Sequence, residues 1–382
     1  IINHTINKII NAPNTPRASC ARTDWLVDDT MPAMALHSAQ TKSAINDYMA
    51  RVEDELREAR ARSPADEWWW QHHGQRWNET LMIGERARLE THNFLFPGDF
   101  LPESKIPVFG RGRPKPTRHS GGIFQPFDYW EADFPCADEA RLPRGRVGDG
   151  PKWLCGASLH ANPCHVVSLG SDFDDKFERA MFAAAGCSSY IVDPTLSVGG
   201  MVLSGHEKGR AAAFRAHLAT YGADLNETVG IGTSGERMRL GNTHSVPLVS
   251  IRTLLEDRFG SAASSGPISL AVLKADIEGG EYSAFDSLWE MCAEGRLAID
   301  QLSLEVHLLV INMTDRHSFG GMHAIFAGAR KCGLMLHHKE VNTWGKFPCS
   351  EFSWVSRRHA MRVAAHARMM NGHGRHHLMK TS

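Results

Sequence analysis

The 382-residue chain has almost no net charge: 42 Lys and Arg stand against 43 Asp and Glu, a formal charge of −1. A chain so balanced has no overall pull toward nucleic acid or an anionic membrane, and no nucleic-acid partner is expected. No run of about 18 uncharged apolar residues occurs, so no transmembrane helix is expected in the given chain. None of the eight cysteines forms a Cys-x-x-Cys pair, which argues against a zinc ribbon or a thioredoxin-type motif. What is present is ordinary for a globular protein: 42% hydrophobic and 22% charged residues. That is enough apolar material for a real core, so wholesale disorder is excluded.

The cysteines are Cys20, Cys136, Cys155, Cys164, Cys187, Cys292, Cys332 and Cys349, an even number that permits disulfides without showing them. Four Asn-x-Ser/Thr sequons begin at Asn3, Asn78, Asn226 and Asn312. Together they tilt the expected location slightly toward a secretory or Golgi lumen over the cytoplasm. The first residue is Ile1 rather than Met, which leaves a preceding signal or anchor open.

Four regions are expected. Residues 1–96 form an N-terminal helical extension. Ile45, Tyr48, Met49 and Val52 recur at helical spacing within a helix over 32–62, and a second helix covers 75–90. Trp68, Trp69 and Trp70 are read as packing this extension onto the main domain. Residues 97–134 are a Pro/Gly-rich linker with a basic stretch, Arg111 to Arg118. The main domain spans 135–358. Residues 359–382 are a basic, His-rich tail, with His373, His376 and His377 read as solvated.

From about residue 150 short β-branched runs alternate with helical patterns, the mark of repeated β–α units. Strands are expected at 164–169, 188–192, 227–231, 268–273 and 302–307. Helices are expected at 174–185, near 208–221, and at 249–259, 282–293 and 321–332. Strands at 334–341 and 352–356, with no helix between them, should pair as a hairpin. The fold class is α/β: a seven-stranded, mostly parallel, Rossmann-like sheet with one antiparallel strand.

Ligands of open α/β sheets bind outside the carboxyl ends of the strands, where strand order reverses. Here those ends carry Gly170, Ser171 and Asp172, then Asp193, then Thr233 and Ser234, then Asp276 to Glu281, then Glu305 and His307. Asp193 follows Gly170 at the spacing of a carboxylate that holds ribose hydroxyls. The first turn is Gly170-Ser-Asp-Phe-Asp-Asp175 rather than Gly-x-Gly-x-x-Gly, and three carboxylates there repel a diphosphate. A cationic nucleoside without phosphate, S-adenosylmethionine (SAM), suits such a site. Asp276 ends an apolar strand, where an unneeded carboxylate is costly, and Glu278 shares its face. Glu281 opens a helix, where a carboxylate suits the positive helix end. His307 is either a general base toward a hydroxyl or a hydrogen-bonded structural histidine. Asp276, Glu278, Glu305 and His307 have the chemistry to hold a divalent cation, but the sequence fixes no geometry and no metal is expected.

The segments Val167 to Met181, Ala185-Gly-Cys187, Val192-Asp-Pro194, Leu273-Lys-Ala-Asp-Ile-Glu-Gly-Gly-Glu281 and Leu304-Glu-Val-His307 resemble the methyltransferase-like protein 24 family. That family is related to the FkbM-type methyltransferases and their Lys-x-Asp-Ile/Val-Glu-Gly segment. Gly148 to Cys155 and Cys349 to Trp354 also resemble it, so the likeness covers about 135–357 and leaves out the N-terminal third. It implies a class I SAM-dependent methyltransferase. Gly170 and Ser171 would face the methionine part of the cofactor, Asp193 the ribose, and Thr233 or Ser234 the adenine side, with Asp172 and Asp276 also in the cofactor-binding set. Asp276, Glu278 and His307 would stand at the reaction centre. The function expected is methyl transfer from SAM, to oxygen, on an unidentified acceptor. The alternatives are a non-catalytic module that keeps the SAM fold, and a lumenal glycosyltransferase suggested by Asp172-x-Asp174 and the sequons.

Overall fold

The computed structural model of the chain describes residues 31–62, 67–95, 130–145, 150–171, 174–194, 226–227, 230–231, 237–240, 244–260, 266–277, 279–307, 319–342 and 349–378. The expected helix near 208–221, nearly all of the linker, and the site residues Asp172, Thr233, Ser234 and Glu278 lie outside these. The chain divides into units 1–40 and 41–382; of the first, only 31–40 is described, as the start of a helix.

That helix is α1, Met31–Arg62. Ile45, Met49, Val52 and Leu56, three or four residues apart, are buried along it. A short helix α2 (Glu67–Trp69) runs through a π turn, Trp70–Gly74, into α3 (Gln75–Leu95). Trp69, Trp70 and Trp77 are buried in one cluster with Met335 and Val355 of the main domain and Ala360 and Val363 of the tail. This is the packing role read from the sequence; the side chain of Trp68 lies outside the described residues.

The main sheet uses β3 (His165–Leu169), β4 (Ser188–Val192), β5 (Asn226–Glu227), β9 (Ile268–Ala275), β10 (Leu297–His307), β11 (Leu334–Asn342) and β12 (Cys349–Ser356). Their order is β11-β12-β10-β9-β3-β4-β5. All described pairings are parallel except those of β12, which runs antiparallel to both neighbours. Helices α4 (Lys176–Ala185), α5 (Ile251–Phe259), α6 (Glu281–Ala293) and α7 (Phe319–Lys331) follow their expected strands. Local chemistry sets several ends. Gly186 closes α4 at φ +67°, and Ser250 caps α5 by accepting from the Thr253 amide at 3.0 Å.

Four elements differ from the sequence expectation. The third strand splits: Asn226–Glu227 joins the main sheet, while Gly230–Ile231 (β6) pairs with a hairpin of β7 (Arg237–Leu240) and β8 (His244–Val249). A second hairpin, β1 (Glu139–Leu142) with β2 (Lys152–Cys155), precedes the first β–α unit. The tail begins as a helix, α8 (Arg357–Leu378), whose His359, Ala360 and Val363 are buried. The fifth strand is longer than its apolar run, because Asp300 and Gln301 are buried with partners and do not break it.

The two faces of the sheet differ. On one, Leu302, Leu304, Val306, Phe352 and Trp354 pack against Phe285, Leu288, Phe326 and Ala329 of α6 and α7. On the other, the alternation of β10 and β12 places Gln301, Ser303, Glu305 and His307 beside Cys349, Glu351 and Ser353. This polar stripe lies under the β1–β2 hairpin. Gln301 Oε1 accepts from the Cys155 amide at 2.7 Å. Three disulfides join described residues: Cys136–Cys155 at the hairpin, Cys164–Cys187 below β3 and β4, and Cys292–Cys332 between α6 and the end of α7.

Candidate functional site

Strand order reverses between β3 and β9: the chain proceeds outward from β3 to β4 and β5, then returns to β9 and β10. A crevice at the carboxyl ends of β3 and β9 is where a ligand is expected. Gly170 leaves β3 at φ +83°. A Cβ there would overlap the carbonyl oxygen of Asp276, so only glycine lets the two strand ends come this close. The Asp276 amide donates to Leu169 O at 2.8 Å, and Lys274 Nζ donates to Gly170 O at 3.0 Å. Asp193 ends β4, and its Oδ2 accepts from the Ser171 amide at 2.7 Å and faces the Ser171 hydroxyl at 3.3 Å. Gly170, Ser171, Asp193 and Asp276 therefore sit together at the switch point.

The charge picture is altered from that expected of the first turn. Asp174 pairs with Lys176 at 2.9 Å and Asp175 with Arg179 at 2.9 Å, so both are neutralised within their own turn. Among the described residues, the negative charge at the crevice comes from Asp193 and Asp276, at the ends of β4 and β9.

Beyond Asp276 the polar stripe becomes a buried cluster. Glu305 lies directly opposite Glu351 across the β10–β12 ladder, and His307 opposite Cys349. Two carboxylates in such positions repel. Lys152, wholly buried on β2, is placed against both: it forms an ion pair with Glu351 and lies 3.8 Å from Glu305 Oε2 and 3.9 Å from Asp276 Oδ2. His307 Nδ1 donates to Glu281 Oε1 at 3.1 Å, an oxygen that also accepts from the Ile277 amide at 3.2 Å. On the other side of the ring, Nε2 faces Asp276 Oδ1 at 3.8 Å and Glu305 Oε1 at 3.7 Å.

Here four carboxyl groups, of Asp276, Glu281, Glu305 and Glu351, meet Lys152 and His307, with Lys274 also acting on Asp276. The excess of negative charge fixes the protonation states. Burial opposes a charge on Lys152, but Glu351, Asp276 and Glu305 overcome it and raise its pKa, so the amine stays charged. Burial likewise opposes a charge on His307, yet the bond and charge of Glu281, with Asp276 and Glu305, push its pKa up to about 9. Burial pushes Glu351 up to about 8, with repulsion from Glu305 and Asp276 acting in the same direction and Lys152 opposing it. Burial acts to raise Asp276, but Lys152, Lys274 and His307 hold it below the usual carboxylate range.

Sequence reasoning missed Lys152, Cys349 and Glu351, and gave Glu281 only a helix-end role. The alternation of Cys349 and Glu351 along one strand was visible. The register that sets them opposite His307 and Glu305 was not. A cavity of about 760 Å³, lined by Trp69, His73, Arg76, His337 and Met361 among others, lies elsewhere and includes none of the candidate residues.

An α/β sheet of this order, with a glycine turn and flanking acidic residues at its switch point, places the protein in the Rossmann-like class. Residues 111–356 match the family model described as "Methyltransferase domain", and the chain belongs to that family. No curated protein matches the chain. Among solved structures it is similar to the METTL16 methyltransferase domain, at 12% identity and a TM-score of 0.28, over 50% of this chain and 59% of that one. It is similar to the mitomycin 7-O-methyltransferase MmcR at 12% identity and 0.24, over 50% and 49%. It is similar to Aeropyrum pernix fibrillarin, solved with S-adenosyl-L-methionine, at 10% identity and 0.27, over 52% and 68%. The chain thus spans between about half and two thirds of each of these structures. Among the described residues no helix is long and apolar enough to cross a membrane.

Proposed function

We propose that the protein binds SAM and transfers its methyl group to an oxygen nucleophile. The observation that carries this reading is the Gly170–Ser171 turn, held between Asp193 and Asp276 at the switch point of a methyltransferase-family domain. The residues fit the cofactor. Asp193 has the position and chemistry to take the ribose hydroxyls, and the Gly170–Ser171 backbone lies close enough to β9 to border the methionine part. The carboxylates of Asp193 and Asp276 at the crevice suit a sulfonium and an ammonium. Thr233 or Ser234 on the adenine side, and Asp172 and Glu278, complete the set proposed from the sequence. When bound, the cofactor supplies an electrophilic methyl group.

The chain's own work is alignment and proton removal. Asp276, held ionised by Lys152 and Lys274, is the proposed acceptor of the hydroxyl proton. His307 carries a proton at neutral pH and is bound to Glu281, so it serves as a positioning residue for Asp276 and Glu305 rather than as the resting base. The finer kinship with the methyltransferase-like protein 24 and FkbM-type proteins is part of this proposal, resting on the 273–281 motif. Three disulfides among the described residues support an oxidising lumen as its compartment.

Isothermal titration of the full chain with SAM tests the reading. Binding at micromolar to sub-millimolar concentration is expected, and absence of binding at millimolar SAM would overturn it. An Asp276→Asn variant should keep much of the affinity and lose turnover on any acceptor found.

A further inference from the structure

The cavity of about 760 Å³ stands apart from the crevice, and none of the residues proposed for SAM lines it. Four pieces of chain meet there: the π turn with the start of α3, the stretch 132–137, Cys155 of β2, and α8. Its volume is that of a small-molecule site, and such sites favour places where one part of a fold packs on another. Its apolar walls are fixed in advance. Trp77, Phe134, Met361 and Ala364 contribute to them. Trp77 is held twice: its Nε1 donates to Asp133 Oδ1 at 3.2 Å, and its ring meets that of Trp69 edge to face with centroids 5.7 Å apart. Asp300 pairs with both Arg358 and Arg362, a clamp that ties α8, and with it Met361 and Ala364, to β10. Walls already in place need little ordering when a ligand enters.

The rim, by contrast, is basic. His72 and His73 belong to the π turn, Arg76 lies in the first turn of α3, and all three are exposed at the cavity. A π turn is uncommon and is often found beside functional sites. Among the described residues the Arg76 guanidinium has no ion-pair partner. Burial, and then the charges of Arg368 and His72, push the His73 pKa down, which marks positive surroundings. Of the described lining residues only Asp133 is acidic, and Trp77 already donates to it. The lining therefore carries apolar rings on one side and positive charge at the mouth.

We propose that this cavity binds a small aromatic acid, with its rings against Trp77, Phe134 and Met361 and its carboxylate on Arg76. Aromatic walls offer faces and edges to a further ring, and the planar guanidinium fork matches a carboxylate. Enclosure by four segments of chain suits a small molecule rather than the broad surface of a protein partner. The N-terminal helices thereby gain a role beyond packing, since the cavity exists only where they meet α8 and the stretch 132–137. The site stands whether or not the crevice takes SAM.

The experiment titrates the full chain calorimetrically with 2-naphthoate, and with 2-naphthol as the same rings without the acid. One equivalent of 2-naphthoate should bind at sub-millimolar concentration, about 10-fold or more tightly than 2-naphthol. Arg76→Gln, at an exposed position, should weaken 2-naphthoate by about 10-fold and leave 2-naphthol within about 2-fold. Ala364→Trp should fill the cavity and abolish binding of both probes. Circular dichroism confirms that each variant is folded, and if Ala364→Trp does not fold, the Arg76→Gln comparison decides. Excess SAM should leave the 2-naphthoate affinity unchanged, which separates this site from the crevice. No binding to the wild-type chain, equal affinity for the two probes, an Arg76→Gln variant that binds 2-naphthoate normally, unchanged binding in folded Ala364→Trp, or displacement by SAM overturns the proposal. Sedimentation that shows a dimer broken by Ala364→Trp would set a second copy over the cavity and overturn it too.

Discussion

The carbonyl oxygen of Asp276 occupies the space that a side chain at Gly170 would need. The ends of β3 and β9 are thereby fixed as close neighbours, and the crevice between them takes its shape from one missing methyl group. Gly170→Ala would have to relieve that overlap at a backbone φ of +83°. The left-handed conformation alone costs about 1–2 kcal/mol for an L side chain. A drop in Tm of several degrees and at least a 10-fold loss of SAM affinity are expected. Unchanged melting and binding would show that the crevice is not built on this contact.

Stability at acid pH should depend on Asp300. Burial acts to raise its pKa, but the rings of His160 and His359, each 3.7 Å away, and the charges of Arg362 and Arg358 hold it well below the carboxylate range. A group with a depressed folded pKa stabilises the fold above its unfolded value, near 3.9, and that contribution fades as pH falls toward the folded value. Denaturant midpoints measured between pH 6 and pH 2 should therefore fall more steeply below about pH 4 for wild type than for Asp300→Asn. The variant should already be destabilised by about 1–2 kcal/mol at pH 6, because the buried carboxylate loses its charge-assisted bonds to two partly exposed arginines. Parallel curves for the two proteins would contradict the clamp.

Arg330 of α7 and Glu85 of α3 form an ion pair at 2.9 Å, with residue exposures of 7% and 2%. This pair fastens the N-terminal helices to the domain. Glu85→Gln leaves a buried guanidinium with the more exposed Glu55 and the Tyr48 hydroxyl, each 3.4 Å away, and should cost about 3 kcal/mol in urea unfolding. Replacing both partners, Glu85→Leu with Arg330→Met, should recover most of that loss. A double variant no better than the single one would count against the pair as the origin of the effect.

The Cys292–Cys332 disulfide closes a loop with a sequence separation of 40. Constraint of the unfolded chain on this scale is worth about 2–4 kcal/mol. Cys292→Ser with Cys332→Ser should lower the unfolding free energy by that amount and leave the methyltransferase site intact. Intact mass of the wild-type protein before and after reduction should differ by two hydrogens for each bridge, and an unchanged mass would remove both this prediction and the lumenal assignment.

Much of the fold was legible before the structure. The helical spacing of Ile45, Met49 and Val52, the run His165 to Leu169, and the two late strands without a helix between them each carry a local periodicity that burial then honours. The β1–β2 hairpin was not legible. Its strands are four residues each and carry little apolar alternation, and what holds it in place, Cys155 against Gln301 and Lys152 against three carboxylates, lies more than a hundred residues away. The anchoring of the tail was not legible for the same reason: His359 reads as polar, yet it is buried 3.7 Å from Asp300.

The sequence by itself determined the α/β class, the acidic residues at the strand ends and the glycine of the first turn, because these follow from local periodicity and from conformations that only some residues adopt. Tertiary structure decided which of those acids act together. It neutralised Asp174 and Asp175 with their own neighbours, drew Lys152 in from a distant hairpin, and set Cys349 across from His307. Charge at a site is a sum over whatever the folded chain brings within a few ångströms, and that sum is fixed by strand register and hairpin placement rather than by any local pattern.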